Sequence, residues 1–171
     1  METIAIYWEP VIKTYGFQEA ADLCLCEIAL SNRDLADWGL FLARAELAAG
    51  FRLLLLEPTA GHLLRFSCLF DRRDAPEMQH LLGESLAPAQ RQSLRMTCPV
   101  DMLFFHGPHF GDRYGIARAA FDALAAEKLP LLVAACAGSA VYLVLPPERL
   151  GDARRLLGRV FVDPAAGGSS D

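Results

Sequence analysis

The sequence has no stretch that would carry the chain across a membrane. Its longest apolar stretch, near Leu53–Leu56, is far shorter than the roughly 20 residues a spanning helix needs. Glu2 stands where a secretory leader would carry basic residues, so a cleaved signal is not expected. There is no basic stripe either. Sixteen Lys and Arg face 21 Asp and Glu, mixed along the chain, for a net charge of −5. Nucleic acid is therefore not an expected partner, and neither is a membrane. Five cysteines, an odd number without a paired framework, predict reduced thiols and a cytoplasmic protein. The nucleophile elbow, the P-loop and the dinucleotide fingerprint are all missing. No catalytic residue, no cofactor and no enzyme activity is expected on these grounds.

What remains is ample material for a core. The chain has 171 residues, 53% of them hydrophobic, which makes one ordinary domain or two small ones. Thr3–Trp8 reads as a strand with Ile4, Ile6 and Trp8 on one side, broken by Glu9-Pro10. Val11–Phe17 is a second extended piece with Gly16 as a bulge. Asp22–Leu30 alternates, with Leu23, Leu25, Glu27 and Ala29 facing one way and Cys24, Cys26, Ile28 and Leu30 the other. A polar turn at Ser31–Asp34 leads into a helix over Leu35–Ala49, with Gly50 as its C-cap. Phe51–Leu56 and Leu63–Phe70 pair as a hairpin, and Pro76–Leu82 is a short helix. Gln90–Thr97 leads out to a joint at Cys98-Pro99.

The same order then begins again. Val100–His106 is a strand, ended by the turn Gly107–Gly111, with Asp112 as the N-cap of a helix whose apolar face is Ile116, Ala120, Phe121 and Leu124. Leu131–Ala135 and Ala140–Leu145 are strands joined at Gly138-Ser139. Leu150, Ala153, Leu156, Leu157 and Val160 mark a last helix, and Pro164–Asp171 reads as a disordered tail. Strand, helix, strand, strand, helix thus occurs twice, an internal duplication. The expected fold class is α+β, with two ferredoxin-like βαββαβ units in tandem, antiparallel sheets and helices on one face.

The second copy resembles an ACT domain, the small amino-acid-binding regulatory module. Its Tyr114-Gly115-Ile116-Ala117 stands where the family has Pro-Gly-Val/Ile-Ala at the helix start. The chain up to Asp163 resembles the paired ACT regulatory region at the C-terminus of aspartokinases, which opens with an extended piece like Val11-Ile12-Lys13-Thr14-Tyr15-Gly16-Phe17. The first copy departs further: Asp37-Trp38-Gly39 stands where Asp-x-Pro-Gly would be expected. The chain is too short to hold a kinase domain as well. The resemblance implies a first unit over residues 20–98 and a second over 1–19 plus 99–163, the N-terminal segment completing the second sheet. It implies a stand-alone regulatory protein that binds a free amino acid at the unit or subunit interface and signals by changing assembly. The alternative is a non-sensing interaction module, such as the small regulatory subunit of an aspartokinase-type enzyme. A homodimer is expected, because four-stranded sheets with one covered face leave edges that such units pair away.

The residues support a ligand site on their own chemistry. A turn between a strand and a helix N-terminus offers free backbone N–H groups and a positive dipole end, which suit a carboxylate. Acidic side chains beside it hold an ammonium. In the first copy the candidates are Ser31, Asn32, Asp34, Asp37, Trp38 and Gly39, with Glu57 from the strand that follows. In the second they are His109, Gly111, Asp112, Gly115 and Ile116, with Cys136–Ser139 nearby. The plainer reading of Asp34 and Asp112 is that they only cap helices. His106, His109 and Asp112 lack an obvious further ligand, so no metal is expected. Cys24 and Cys26 read as small apolar core residues rather than a redox pair.

Overall fold

The computed structural model describes residues 11–162, so the expected strand at Thr3–Trp8 and the expected tail at Pro164–Asp171 lie outside the described residues. Eight strands and five α-helices follow in order among those residues: β1 (Ile12–Lys13), β2 (Phe17–Ser31), α1 (Leu35–Ala48), β3 (Phe51–Pro58), β4 (Leu63–Asp71), α2 (Ala75–Ser85), α3 (Pro88–Ser93), β5 (Arg95–His106), α4 (Ile116–Ala125), β6 (Val133–Ala137), β7 (Ala140–Leu145), α5 (Leu150–Leu157) and β8 (Phe161–Val162). The chain divides into two compact units: a continuous one, Asp22–Val100, and a split one, formed by residues 11–21 and 101–162. β2 and β5 contribute residues to both.

In the continuous unit the strand order is β3-β4-β2-β5. β2 and β4 pair antiparallel from Leu23↔Asp71 to Ser31↔Leu63, and β4 pairs β3 antiparallel in turn. The period-two alternation of β2 decides which side is covered. Cys24, Cys26, Ile28 and Leu30 point into a core that also holds Trp38, Phe41 and Ala45 of α1, Phe66, Cys68 and Phe70 of β4, and Met78, Leu81 and Leu82 of α2. α1 and α2 therefore cover the same face. Leu23 and Leu25, on the other face, are buried as well.

The split unit repeats that order with different pieces: β6-β7-β5-β2. β5 pairs β7 from Asp101↔Leu145 to His106↔Ala140, and β7 pairs β6. The fourth strand is the first part of β2, so it comes from before the continuous unit in sequence. β1 pairs β8 in parallel, Ile12 with Phe161 and Lys13 with Val162. The core is aromatic. Phe105 lies 5.3 Å from Phe17 and 4.7 Å from Phe161, centroid to centroid, with Phe110 edge-on at 6.0 Å. α4 and α5 complete it with Ile116, Ala120, Leu124, Ala153, Leu156 and Leu157. Each unit thus has the strand order of a ferredoxin-like βαββαβ sheet, as the duplicated pattern predicts.

Several expectations need correction. β2 begins at Phe17, five residues earlier than its alternation suggests, and Gly16 is a turn whose N–H meets the Thr14 hydroxyl rather than a bulge. β5 begins at Arg95 and runs through Pro99, and the lead-out before it contains α3, with Pro88 in its first turn. β6 starts at Val133, two residues later than expected. Phe121 is 39% exposed and lies off the buried face of α4. Gly50 does not end α1 in a left-handed cap, since Ala49 already turns extended at φ −144°. The cysteines are not all reduced: Cys24 is bonded to Cys98, 74 residues away.

Candidate functional site

Both strand-to-helix turns exist, and they are built differently. In the continuous unit, Asn32–Asp34 forms one turn of 3-10 helix between β2 and α1. The Asp34 carboxylate accepts the backbone N–H of Ser31 at 2.7 Å. That bond, reinforced by the Ser31 side chain, holds Asp34 below the ordinary carboxylate range. That bond closes the turn on itself, and the Asp34 side chain makes no cap bond to the first N–H groups of α1. Asn32, Asp37 and Gly39 are exposed on the same turn and the first turn of α1. Trp38 does not face solvent: it is 5% exposed, stacks on Phe41 at 4.5 Å and meets Phe66 edge-on at 5.0 Å. Its indole N–H has no partner among the described residues.

Glu57 pairs across the hairpin with Arg65. Leu64 is opposite both Leu30 and Pro58, so Glu57 and the Ser31 turn lie at the same end of this sheet, with β4 between them. Strands are about 4.8 Å apart, so the two are roughly 10 Å apart in that sheet. Structure thus brings Ser31, Asn32, Asp34 and Asp37 together, leaves Glu57 two strands away, and puts Trp38 in the core.

In the split unit the loop between β5 and α4 is longer. Gly107 opens it where no side chain fits: an added Cβ would collide with the Lys13 carbonyl oxygen and the Phe110 ring. Phe110 plugs the loop onto the core, and its N–H reaches the Gly107 carbonyl at 3.4 Å. His109 takes a left-handed φ of 60°, and Asp112 donates its N–H back to the His109 carbonyl at 3.0 Å. Asp112 is therefore a loop residue and not the helix cap. The N-cap is Gly115, left-handed at φ 87°, and α4 carries neither a side-chain cap nor an acidic residue in its first turn. Its first N–H groups and dipole end are met by no carboxylate of its own helix. Ile116 is buried behind them. The Gly138-Ser139 hairpin lies at this same end of the sheet, because Ala140 pairs with both His106 and Ala137. Gly111 and Asp112 are exposed on the loop, and His109 sits 3.9 Å from Asp112, Nδ1 to Oδ2.

Sequence reasoning missed what borders this loop from the N-terminal side. Tyr15 donates its backbone N–H to the His106 carbonyl at 2.9 Å, and its ring lies 5.2 Å from the His106 ring. Arg113 reaches the Val11 carbonyl at 3.2 Å. Contacts separated by about a hundred residues leave no local signal. No group of three or more potential metal ligands occurs among the described residues, and no helix there is long and apolar enough to cross a membrane.

No protein-family model matches the chain, and no curated protein matches its sequence. Its structure does match. The ligand-free regulatory subunit of aspartate kinase from Thermus thermophilus superposes with a TM-score of 0.69 at 12% identity, over 86% of this chain and 97% of that one. The corresponding subunit from Thermus flavus gives 0.71 at 12% identity, over 86% and 98%. Aspartate kinase from Synechocystis gives 0.74 at 17% identity, over 95% of this chain but 29% of that enzyme. The chain therefore has the fold of the aspartate kinase regulatory subunit, and the ACT resemblance read from its sequence holds at the level of fold.

Proposed function

We propose that this chain is an ACT-type regulatory protein that binds a free amino acid and acts on a partner enzyme of the aspartokinase type. The observation that carries this reading is coverage. Proteins that are themselves regulatory subunits align with it over 97% or more of their length. The geometry favours the turn before α4 as the ligand's carboxylate site, since α4 has no acidic residue in its first turn, whereas α1 carries Asp37 there. Asp112 and the Gly138-Ser139 hairpin border that turn and supply groups for an ammonium and a side chain. The role is regulatory rather than catalytic.

A panel of amino acids in a thermal-shift assay tests the reading. A ligand at about 100 times its dissociation constant adds roughly 2.7 kcal/mol, which raises Tm by several degrees for a chain of this size. Gly115→Val should abolish the shift, while Asp37→Ala should leave it. If no common amino acid moves the melting curve at millimolar concentration, sensing gives way to a second reading. In that reading the chain is an interaction module that binds its partner without a ligand. One observation favours pairing of either kind. Among the described residues β3 is an edge strand, eight residues long, whose Leu54 and Leu56 are 43% and 49% exposed. Sedimentation at micromolar concentration should show a dimer, and a clean monomer would count against self-pairing.

A further inference from the structure

Four of the five cysteines lie in the continuous unit, and they pair across its sheet in two different ways. Cys24 of β2 is bonded to Cys98 of β5, their Cα atoms 4.6 Å apart. Two residues along β2, Cys26 stands opposite Cys68 of β4. Both of these are buried free thiols. The hydrogen bond to Cys26, then burial, pushes the Cys68 thiol far up and disfavours a thiolate there. The bonded pair is different. Cys24 is sealed in the core, but Cys98 is exposed.

That asymmetry directs chemistry. An external thiolate can reach only the Cys98 sulfur. Attack there forms a mixed disulfide with Cys98 and expels Cys24 as the leaving group, which takes up a proton. The second thiol of a dithiol reductant then attacks its own bonded sulfur, releasing the Cys98 thiol and closing the reductant's disulfide. The protein gains two electrons and two protons, and the dithiol loses them. Once free, the Cys24 thiol is a small apolar group among Cys26, Cys68 and Phe70, an environment that suits it. Strand pairing keeps the two cysteines adjacent, so the bond can re-form.

The bond anchors the start of β5 to β2. The segment is also held by the pairing of β5 with β2 and by the packing of Leu94 and Met96 on the core. Arg91 donates to the Leu86 and Gly83 carbonyls, and the Ser93 hydroxyl accepts the Ala29 N–H at 3.2 Å. We propose that Cys24–Cys98 is a reversible dithiol–disulfide switch, opened from the exposed Cys98 side, which controls how firmly the segment from α3 into β5 is held to the continuous unit.

The test uses the full chain carrying Cys136→Ser, because Cys136 is the exposed free thiol that would cross-link copies. The protein is equilibrated without denaturant in graded ratios of reduced to oxidised dithiothreitol, then alkylated with iodoacetamide and mapped by mass spectrometry. Expected is a reversible two-electron transition in which Cys98 becomes alkylated while Cys24, Cys26 and Cys68 stay protected. Tm should fall by roughly 10 °C, and amides from Arg95 to Val100 should exchange at least about ten-fold faster. Cys24→Ala/Cys98→Ala should show no response to the dithiol. The proposal is overturned if the bond resists reduction until the chain unfolds, if all buried thiols become labelled together, or if Cys98 is already alkylated before reduction. A dithiol response surviving in the double variant would also overturn it. Should that variant fail to fold, the protected pattern of the parent protein decides alone.

Discussion

The two units solve one topological problem in opposite ways. Each must turn a strand into a helix at the same end of a four-stranded sheet. The continuous unit uses a short turn and satisfies it internally, with the Asp34 carboxylate on the Ser31 N–H. The split unit uses a longer loop, pins it by burying Phe110, and starts its helix from a left-handed glycine. Neither helix start has a side-chain cap, but α1 carries Asp37 in its first turn and α4 carries no acidic residue there. Duplicated units are thus free to diverge at the turn, because the sheet and helices hold the fold regardless of how the turn is capped. Means of support differ as well: a disulfide ties the continuous unit, whereas the split unit relies on aromatic packing around Phe105.

The comparison breaks most visibly at the disulfide. Cys24→Ala/Cys98→Ala opens a loop of 74 residues and should lower stability by about 4 kcal/mol. Chemical denaturation should show the loss, and hydrogen exchange should place it in the continuous unit. A loss spread evenly over both units would contradict the assignment of separate supports.

Gly107→Ala attacks the split unit instead. The added methyl meets the Lys13 carbonyl and the Phe110 ring, one of them backbone that cannot move aside cheaply, so about 3 kcal/mol should be lost. Gly111→Ala, where nothing lies within 4 Å, is the matched control and should be nearly neutral.

Asp34→Ala should cost about 1 kcal/mol by removing the bond to Ser31. The pH dependence carries the sign. The folded-state value of Asp34 is depressed, so its contribution is present above the unfolded value of about 3.9. It is lost as pH falls through the lower folded value. The difference between parent and variant should therefore close in acid. In the split unit, Asp112→Ala should cost less than Asp34→Ala, because Asp112 caps nothing.

The smallest effect lies on the split unit's surface. Arg155 first, then Arg159, hold Glu127 down to about 2. NMR titration should find that carboxylate ionised through mild acid. Glu127→Gln should barely move Tm, since exposed ion pairs are screened and entropically costly.

Much of the fold was legible in residue order because it rests on local periodicity. The alternation from Cys24 to Leu30 separated two faces of β2, and the one holding Cys24, Cys26, Ile28 and Leu30 packs on α1 and α2. Ala140–Leu145 and the end of β5 at His106 came out to the residue. Misreadings cluster where a partner overrides local preference. Pro99 reads as a break, yet β5 passes through it. Asp112 has the chemistry of a cap, but the loop needs three more residues before the chain can turn into α4. Of the candidate ligand residues, Trp38 lies in the core, a placement not legible beforehand because an indole at a helix start looks the same in sequence whether it faces solvent or core.

Residue order by itself determined the two βαββα patterns, their hydrophobic faces and their turns, because side-chain periods of two and 3.6 are properties of the backbone alone. Only the tertiary structure decided which strands are neighbours, that the first part of β2 joins the split unit's sheet, and that Cys24 meets Cys98. It also decided that Asp34 bonds back to Ser31 rather than capping α1. Those outcomes depend on residues far apart in sequence, Ile12 and Phe161 among them, arriving at one place, and a chain carries no local mark of a distance that only packing creates.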